Sequence, residues 1–122
     1  MITRIPALEL MQHLVGAYQS SDGKASLLVK RVGYGQVIEL CLGGKLMLSG
    51  VVGASGESVE LYALFGIPNV IRLSGSIQSR TDISFETPEL EWGLRLSLTG
   101  DTLTLTISNG GAQSAQHVLQ RG

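Results

Sequence analysis

Leu90-Glu91-Trp92-Gly93-Leu94-Arg95-Leu96-Ser97-Leu98-Thr99-Gly100-Asp101-Thr102-Leu103-Thr104-Leu105-Thr106-Ile107-Ser108 decides the fold. From Leu90 to Leu98 every even position is apolar and every odd one is polar, charged or glycine. After Gly100-Asp101 the phase flips, and Leu103, Leu105 and Ile107 alternate with threonines. Strict alternation describes a strand with one buried and one wet face. Gly100 tolerates the positive φ of a tight hairpin turn. A two-residue loop then sets Leu98 against Leu103, Leu96 against Leu105 and Leu94 against Ile107. The phase flip is what such a turn requires to keep apolar opposite apolar.

Working outward, the chain from Leu14 onward reads as further strands. They are expected over 14–19, 25–32, 36–42, 45–52, 57–65, 70–78, 82–86, 90–99, 102–108 and 114–120, separated by turn-like runs such as Gly33-Tyr34-Gly35 and Gly43-Gly44. An apolar face stays in phase if Leu27 and Val29 oppose Leu40 and Ile38. It continues if Leu42, Leu40 and Ile38 oppose Leu46, Leu48 and Gly50 past a bulged Gly43-Gly44-Lys45 turn. Leu48 and Gly50 would then oppose Leu61 and Val59, and Phe65, Ala63, Leu61 and Val59 would oppose Ile71, Leu73, Gly75 and Ile77. Ile77 would meet Ile83, and Phe85 would meet Leu90. Short loops between successive strands make an up-and-down antiparallel meander. A sheet of about 8–10 strands with an unbroken apolar face must close into a barrel or fold into a flattened one. The fold class is therefore all-β, and residues 1–122 form a single domain. Residues 1–13 are its helical lead and 14–122 the barrel. Pro6 suits a first helical turn, and Ala7, Leu10, Met11 and Leu14 fall on one face, so a short helix is expected over 6–14.

The composition narrows the function classes. Nine basic against ten acidic residues leave no clustered positive footprint, so nucleic acid is not an expected partner. A lone Cys41 forms no internal disulfide, which suits a cytoplasmic setting or a periplasmic one with a buried thiol. No apolar h-region of a signal peptide is visible near Met1, and no apolar run has the length of a membrane helix. His13 and His117 would approach each other on barrel closure, but two ligands make no zinc site, and no metal or cofactor is expected. Cys41 has no local base, and Glu86, Glu89 and Glu91 read as a charged rim around Pro88, so no catalytic residue is assigned and the protein is not expected to be an enzyme.

The uncharged inward face points to a binding protein for a small hydrophobic, lipid-like ligand, lined by Tyr18, Leu40, Leu61, Phe65, Phe85 and Trp92. A packed core would need the same apolar face. The outward positions of strands two to five are apolar as well. Leu28, Met47, Tyr62 and Leu64 stand there with Val32, Val37, Cys41 and Val51. That patch suits the alternative of an interaction module, an adaptor, chaperone-like or pilotin-like, acting by homodimerisation or by docking a protein partner.

Leu14-Val15-Gly16-Ala17-Tyr18 gives a short helical lead followed by Gly-x-aromatic on the first strand. This resembles the opening of lipocalins and fatty-acid-binding proteins, which usually carry Gly-x-Trp. Thr81-Asp82 falls where the lipocalin Thr-Asp-Tyr motif would lie, with Ile83 as its third residue. Arg121 is loosely placed for the late lipocalin arginine. The helix-turn-helix lid of fatty-acid-binding proteins has no room between the first two strands. The resemblance implies a calycin-like barrel that binds a small hydrophobic ligand, and it assigns no contact residue.

Overall fold

A computed structural model describes residues 12–33, 35–55, 58–65, 70–79, 81–87, 92–109 and 112–122. Alternating sequence becomes strand throughout: β1 (Gly16–Gln19), β2 (Ala25–Val32), β3 (Gly35–Leu42), β4 (Lys45–Ser55), β5 (Ser58–Leu64), β6 (Ile71–Ser79), β7 (Asp82–Thr87), β8 (Trp92–Thr99), β9 (Thr102–Asn109) and β10 (Ala112–Arg121). Each strand pairs antiparallel with its neighbours in the chain, and β1 also pairs with β10, so the sheet is a closed barrel. Closure satisfies the backbone groups that an open sheet leaves along its edges. The barrel, not the flattened sandwich, is what forms.

The organising hairpin has the expected register: Leu98 pairs with Leu103, Leu96 with Leu105 and Leu94 with Ile107. Gly100 takes a φ of +61°, the conformation its turn demands. Leu27 opposite Leu40, Val29 opposite Ile38 and Ile77 opposite Ile83 also follow the sequence reading.

Four strand pairings differ from it. Gly43 and Gly44 form an unbulged turn with φ of +61° and +79°, and Leu42 pairs directly with Lys45. The bulge lies within the strand instead, where Cys41 pairs with Leu46 and Leu40 with Leu48, leaving Met47 as the extra residue. Between β4 and β5, Gly50 meets Ala63 and Val52 meets Leu61. Between β5 and β6, Ala63 meets Ile71 and Leu61 meets Leu73. Phe85 pairs with Leu94, not Leu90. The shifts between β4 and β5, β5 and β6, and β7 and β8 are each an even number of residues, so those side chains keep their faces. Leu46, expected inward opposite Leu42, instead stands exposed, because the bulge follows it.

The expected helix over 6–14 is met, among the described residues, by a single 3-10 turn at Gln12–Leu14. Pro6, Ala7, Leu10 and Met11 lie outside the described residues.

The core is the lumen. Ile38, Leu61, Leu73, Phe85, Leu96, Leu103, Leu105 and Leu119 are fully buried, as are Leu14 and Tyr18 from the N-terminal end. Each large aliphatic or aromatic group removed from water contributes about 1.5–3 kcal/mol. The β4–β7 sector is filled to contact. A Cβ on Gly50 would lie 2.8 Å from Leu61 Cδ1 and from Ala63 Cβ, and one on Gly75 would lie 3.2 Å from a Phe85 ring carbon. Those two glycines are the space into which Leu61 and Phe85 pack.

Candidate functional site

Alternation puts one face of every strand into the lumen. On it the structure collects Tyr18, Leu40, Leu61 and Phe85, all buried, as the sequence reading expects. Phe65 and Trp92 are partly buried against the same cluster. Their rings meet edge to face, 4.5 Å between centroids at 70°. This aromatic pair joins the end of β5 to the start of β8. Such edge-on pairs add roughly 0.5–1.5 kcal/mol beyond burial.

The lumen also holds polar positions that the sequence reading passed over. Gln36 shares the inward face of β3 with Ile38 and Leu40, between Arg31 of β2 and Val52 of β4. Thr87 follows Ile83 and Phe85 on the inward face of β7, opposite Trp92. Both are 1% exposed, and Gln36 Nε2, Gln36 Oε1 and Thr87 Oγ1 have no hydrogen-bond partner among the described residues. Buried polar atoms are nearly always paired, because an unpaired one costs about 1–3 kcal/mol. His117 pairs with Leu105 across the β9–β10 ladder and alternates with exposed Val118 and buried Leu119, so it too faces inward, half-buried. The same period-2 count that placed Ile38 and Phe85 inward reaches Gln36 and Thr87 two residues away, and His117 lies two residues from buried Leu119.

The seam that closes the barrel is built from the two ends of the described chain. β1 and β10 share two residue pairs, Tyr18 with Arg121 and Gln19 with Gln120. The Gly122 amide donates to Ala17 O at 2.8 Å. Tyr18 OH donates to Leu14 O at 2.7 Å, holding the 3-10 turn to the strand that follows it. Arg121 Nη2 donates to Tyr18 OH at 2.8 Å and to His13 O at 2.7 Å. The guanidinium carbon lies 5.3 Å from the centre of the Tyr18 ring. Gly16 leaves room for this side chain, since a Cβ there would lie 3.3 Å from Arg121 Nε. Outside the seam, a groove of about 680 Å³ runs over β1 and β2 and is lined by Ala17, Gln19, Ser26, Leu28, Cys41 and Gln120.

The barrel exterior has two characters. Among the described residues, seven of the nine large exposed apolar side chains lie on β2, β4 and β5: Leu28, Val32, Leu46, Met47, Val51, Tyr62 and Leu64. All four expected interface residues, Leu28, Met47, Tyr62 and Leu64, are therefore on that wall and between 38% and 46% exposed. Val37, Val51 and Tyr62 form one row across adjacent strands. Tyr62 OH donates to Glu60 Oε2 at 2.7 Å, which raises the phenol's pKa above its ordinary range. Arg72 Nη2 lies 3.2 Å from the other oxygen of the buried Glu60 carboxylate. On the opposite wall Arg95 grips Asp82 with two hydrogen bonds, of 2.9 and 2.5 Å. That contact lowers the Asp82 pKa below the usual carboxylate value.

The remaining candidates stay apart from any such constellation. His13 is exposed in the 3-10 turn, whereas His117 faces inward on β10. Cys41 is a half-buried free thiol on β3. Glu86 is exposed on β7, while Pro88, Glu89 and Glu91 lie outside the described residues. Among the described residues no three His, Cys, Asp or Glu side chains gather as metal ligands, and no helix is long and apolar enough to cross a membrane.

Comparison with known proteins finds no matching family, no matching characterised protein and no matching solved structure.

Proposed function

We propose that the protein is a non-enzymatic carrier that encloses one small hydrophobic ligand inside its barrel. The observation that carries this reading is the closed apolar lumen in which the inward-facing side chains of Gln36 and Thr87 have no hydrogen-bond partner among the described residues. An apolar enclosure with a few convergent polar groups is how small-molecule sites are built. Tyr18, Leu40, Leu61, Phe65, Phe85 and Trp92 line it. The site is of the calycin kind: a 3-10 turn, Gly16-Ala17-Tyr18 and Arg121 assemble at the closing seam.

Two measurements test it. Native mass spectrometry of the purified protein is expected to reveal a retained small molecule. Thermal unfolding in the presence of medium-chain lipids is expected to rise with ligand concentration, by about 2.7 kcal/mol at a hundredfold excess over Kd. No retained mass, no thermal shift and an unchanged Trp92 emission across the panel would overturn the proposal.

A second reading rests on the apolar wall of β2, β4 and β5. There Leu28, Met47, Tyr62 and Leu64 would dock a second copy or another protein. Leu64→Asp is expected to lower the apparent mass in size-exclusion chromatography if copies pair through this wall. An unchanged elution for both proteins would remove the homodimer.

A further inference from the structure

We propose that Gln36 is the polar anchor of the lumen and that the ligand carries a neutral carboxamide or lactam facing it. This rests on the carrier reading above. Gln36 is 1% exposed, and the nitrogen and oxygen of its carboxamide lack partners among the described residues. Its side chain points the same way as Ile38 and Leu40, into an aliphatic interior. Its backbone neighbours are Arg31 and Val52 in regular ladders, so the strand itself makes no demand for an amide at this place. A leucine of similar size would avoid the desolvation that an unpaired amide incurs.

The chemistry of the missing partner follows from that of the carboxamide. Nε2 must donate and Oε1 must accept, from neighbouring positions on one plane. A carboxamide or lactam offers an acceptor and a donor side by side and satisfies both. The match is the same whichever way the Gln36 amide is turned, because flipping it exchanges the two roles. An ionised carboxylate only accepts. It would leave Oε1 unpaired and would bring a charge into an apolar space. The cation across the ladder, Arg31, is exposed and its Nε donates to Gly33 O at 3.0 Å, outside the lumen. An ester accepts without donating, and a hydroxyl offers both functions from one atom, which cannot align with both.

The test compares octanamide with methyl octanoate, which shares the chain and lacks the donor, on the wild-type protein and on Gln36→Leu. Binding is followed by calorimetry. The wild type is expected to bind octanamide about tenfold tighter than the ester, the scale of one to two net hydrogen bonds. Gln36→Leu is expected to bind the two equally, with ester affinity retained, and to unfold at a higher temperature than wild type when both are empty. Gln36→Met serves the same comparison should leucine fail to pack. Equal affinities on the wild type, or a preference that survives both substitutions, would overturn the anchor while leaving the carrier intact. Absence of binding by either compound to any of the proteins would instead count against the carrier itself.

Discussion

Tyr18 and Arg121 close the barrel together, so removing either should cost more than a surface substitution, and removing both should cost less than the sum. Tyr18→Phe deletes the hydroxyl that donates to Leu14 O and accepts from Arg121. Tyr18 is 2% exposed, so the Leu14 carbonyl loses its donor in a buried setting. At about 1 kcal/mol for a neutral bond, and somewhat more for the bond from the guanidinium, the expected loss is about 2 kcal/mol. Arg121→Met deletes the bonds to Tyr18 OH and His13 O and the charge above the Tyr18 ring. Its side chain is 28% exposed, and with that partial screening the expected loss is about 2–3 kcal/mol. The shared part is the Arg121–Tyr18 contact. The double variant should therefore show a coupling of about 1–2 kcal/mol. Urea unfolding followed by the single tryptophan, Trp92 on β8, reports the transition from a strand remote from the substitutions. Additive losses, with coupling below about 0.3 kcal/mol, would refute the idea that this pair works as a unit.

Gly50→Ala inserts a Cβ 2.7 Å from the Tyr62 carbonyl and 2.8 Å from Leu61 Cδ1; overpacking of this kind is expected to destabilise by about 1–3 kcal/mol in denaturant titration. The Asp82–Arg95 contact lowers the folded-state pKa of Asp82, so its stabilisation is present above the unfolded-state pKa. It disappears as the pH falls through the lower folded-state value. Arg95→Gln should therefore lose at most about 1 kcal/mol at neutral pH and nothing at a pH below both values. A loss that persists unchanged in acid would place its cause in packing instead.

The faces of the strands were legible in the sequence almost everywhere, the pairing between strands only in part. A slip of one residue turns an apolar row into solvent, which the alternation forbids, whereas an even slip, here of four, leaves Gly50 facing inward whether Val59 or Ala63 stands opposite. At the Gly100-Asp101 turn the loop length fixes the register, and there the reading and the structure agree. Met47 shows the same limit: an extra residue inside β4 and one in the preceding turn give the same downstream phase. The proposed lining was legible as far as it is apolar. Thr87 was missed because it reads as the start of the Pro88 loop, and Gln36 because a polar first residue of a strand gives no signal of facing inward; His117 was noticed only as a neighbour of His13, not as a lumen residue. The seam was half legible: Gly16-Ala17-Tyr18 and Arg121 could each be noticed, but their contact joins residues 103 positions apart and needs the closed barrel to exist.

The ladder between β1 and β10 is the one pairing in the sheet that joins strands distant along the chain; every other links consecutive hairpin partners. Zipping those hairpins is local and fast, but bringing the two ends together restricts a chain of roughly a hundred residues, an entropic cost of about 4 kcal/mol on the three-halves RT ln n estimate. Two backbone pairs must outweigh it, with whatever the Tyr18 and Arg121 side chains add. The pairs most distant along the chain thus lie at that junction. The folding rate of this protein should answer to substitutions there far more than to equal losses of stability in the middle strands.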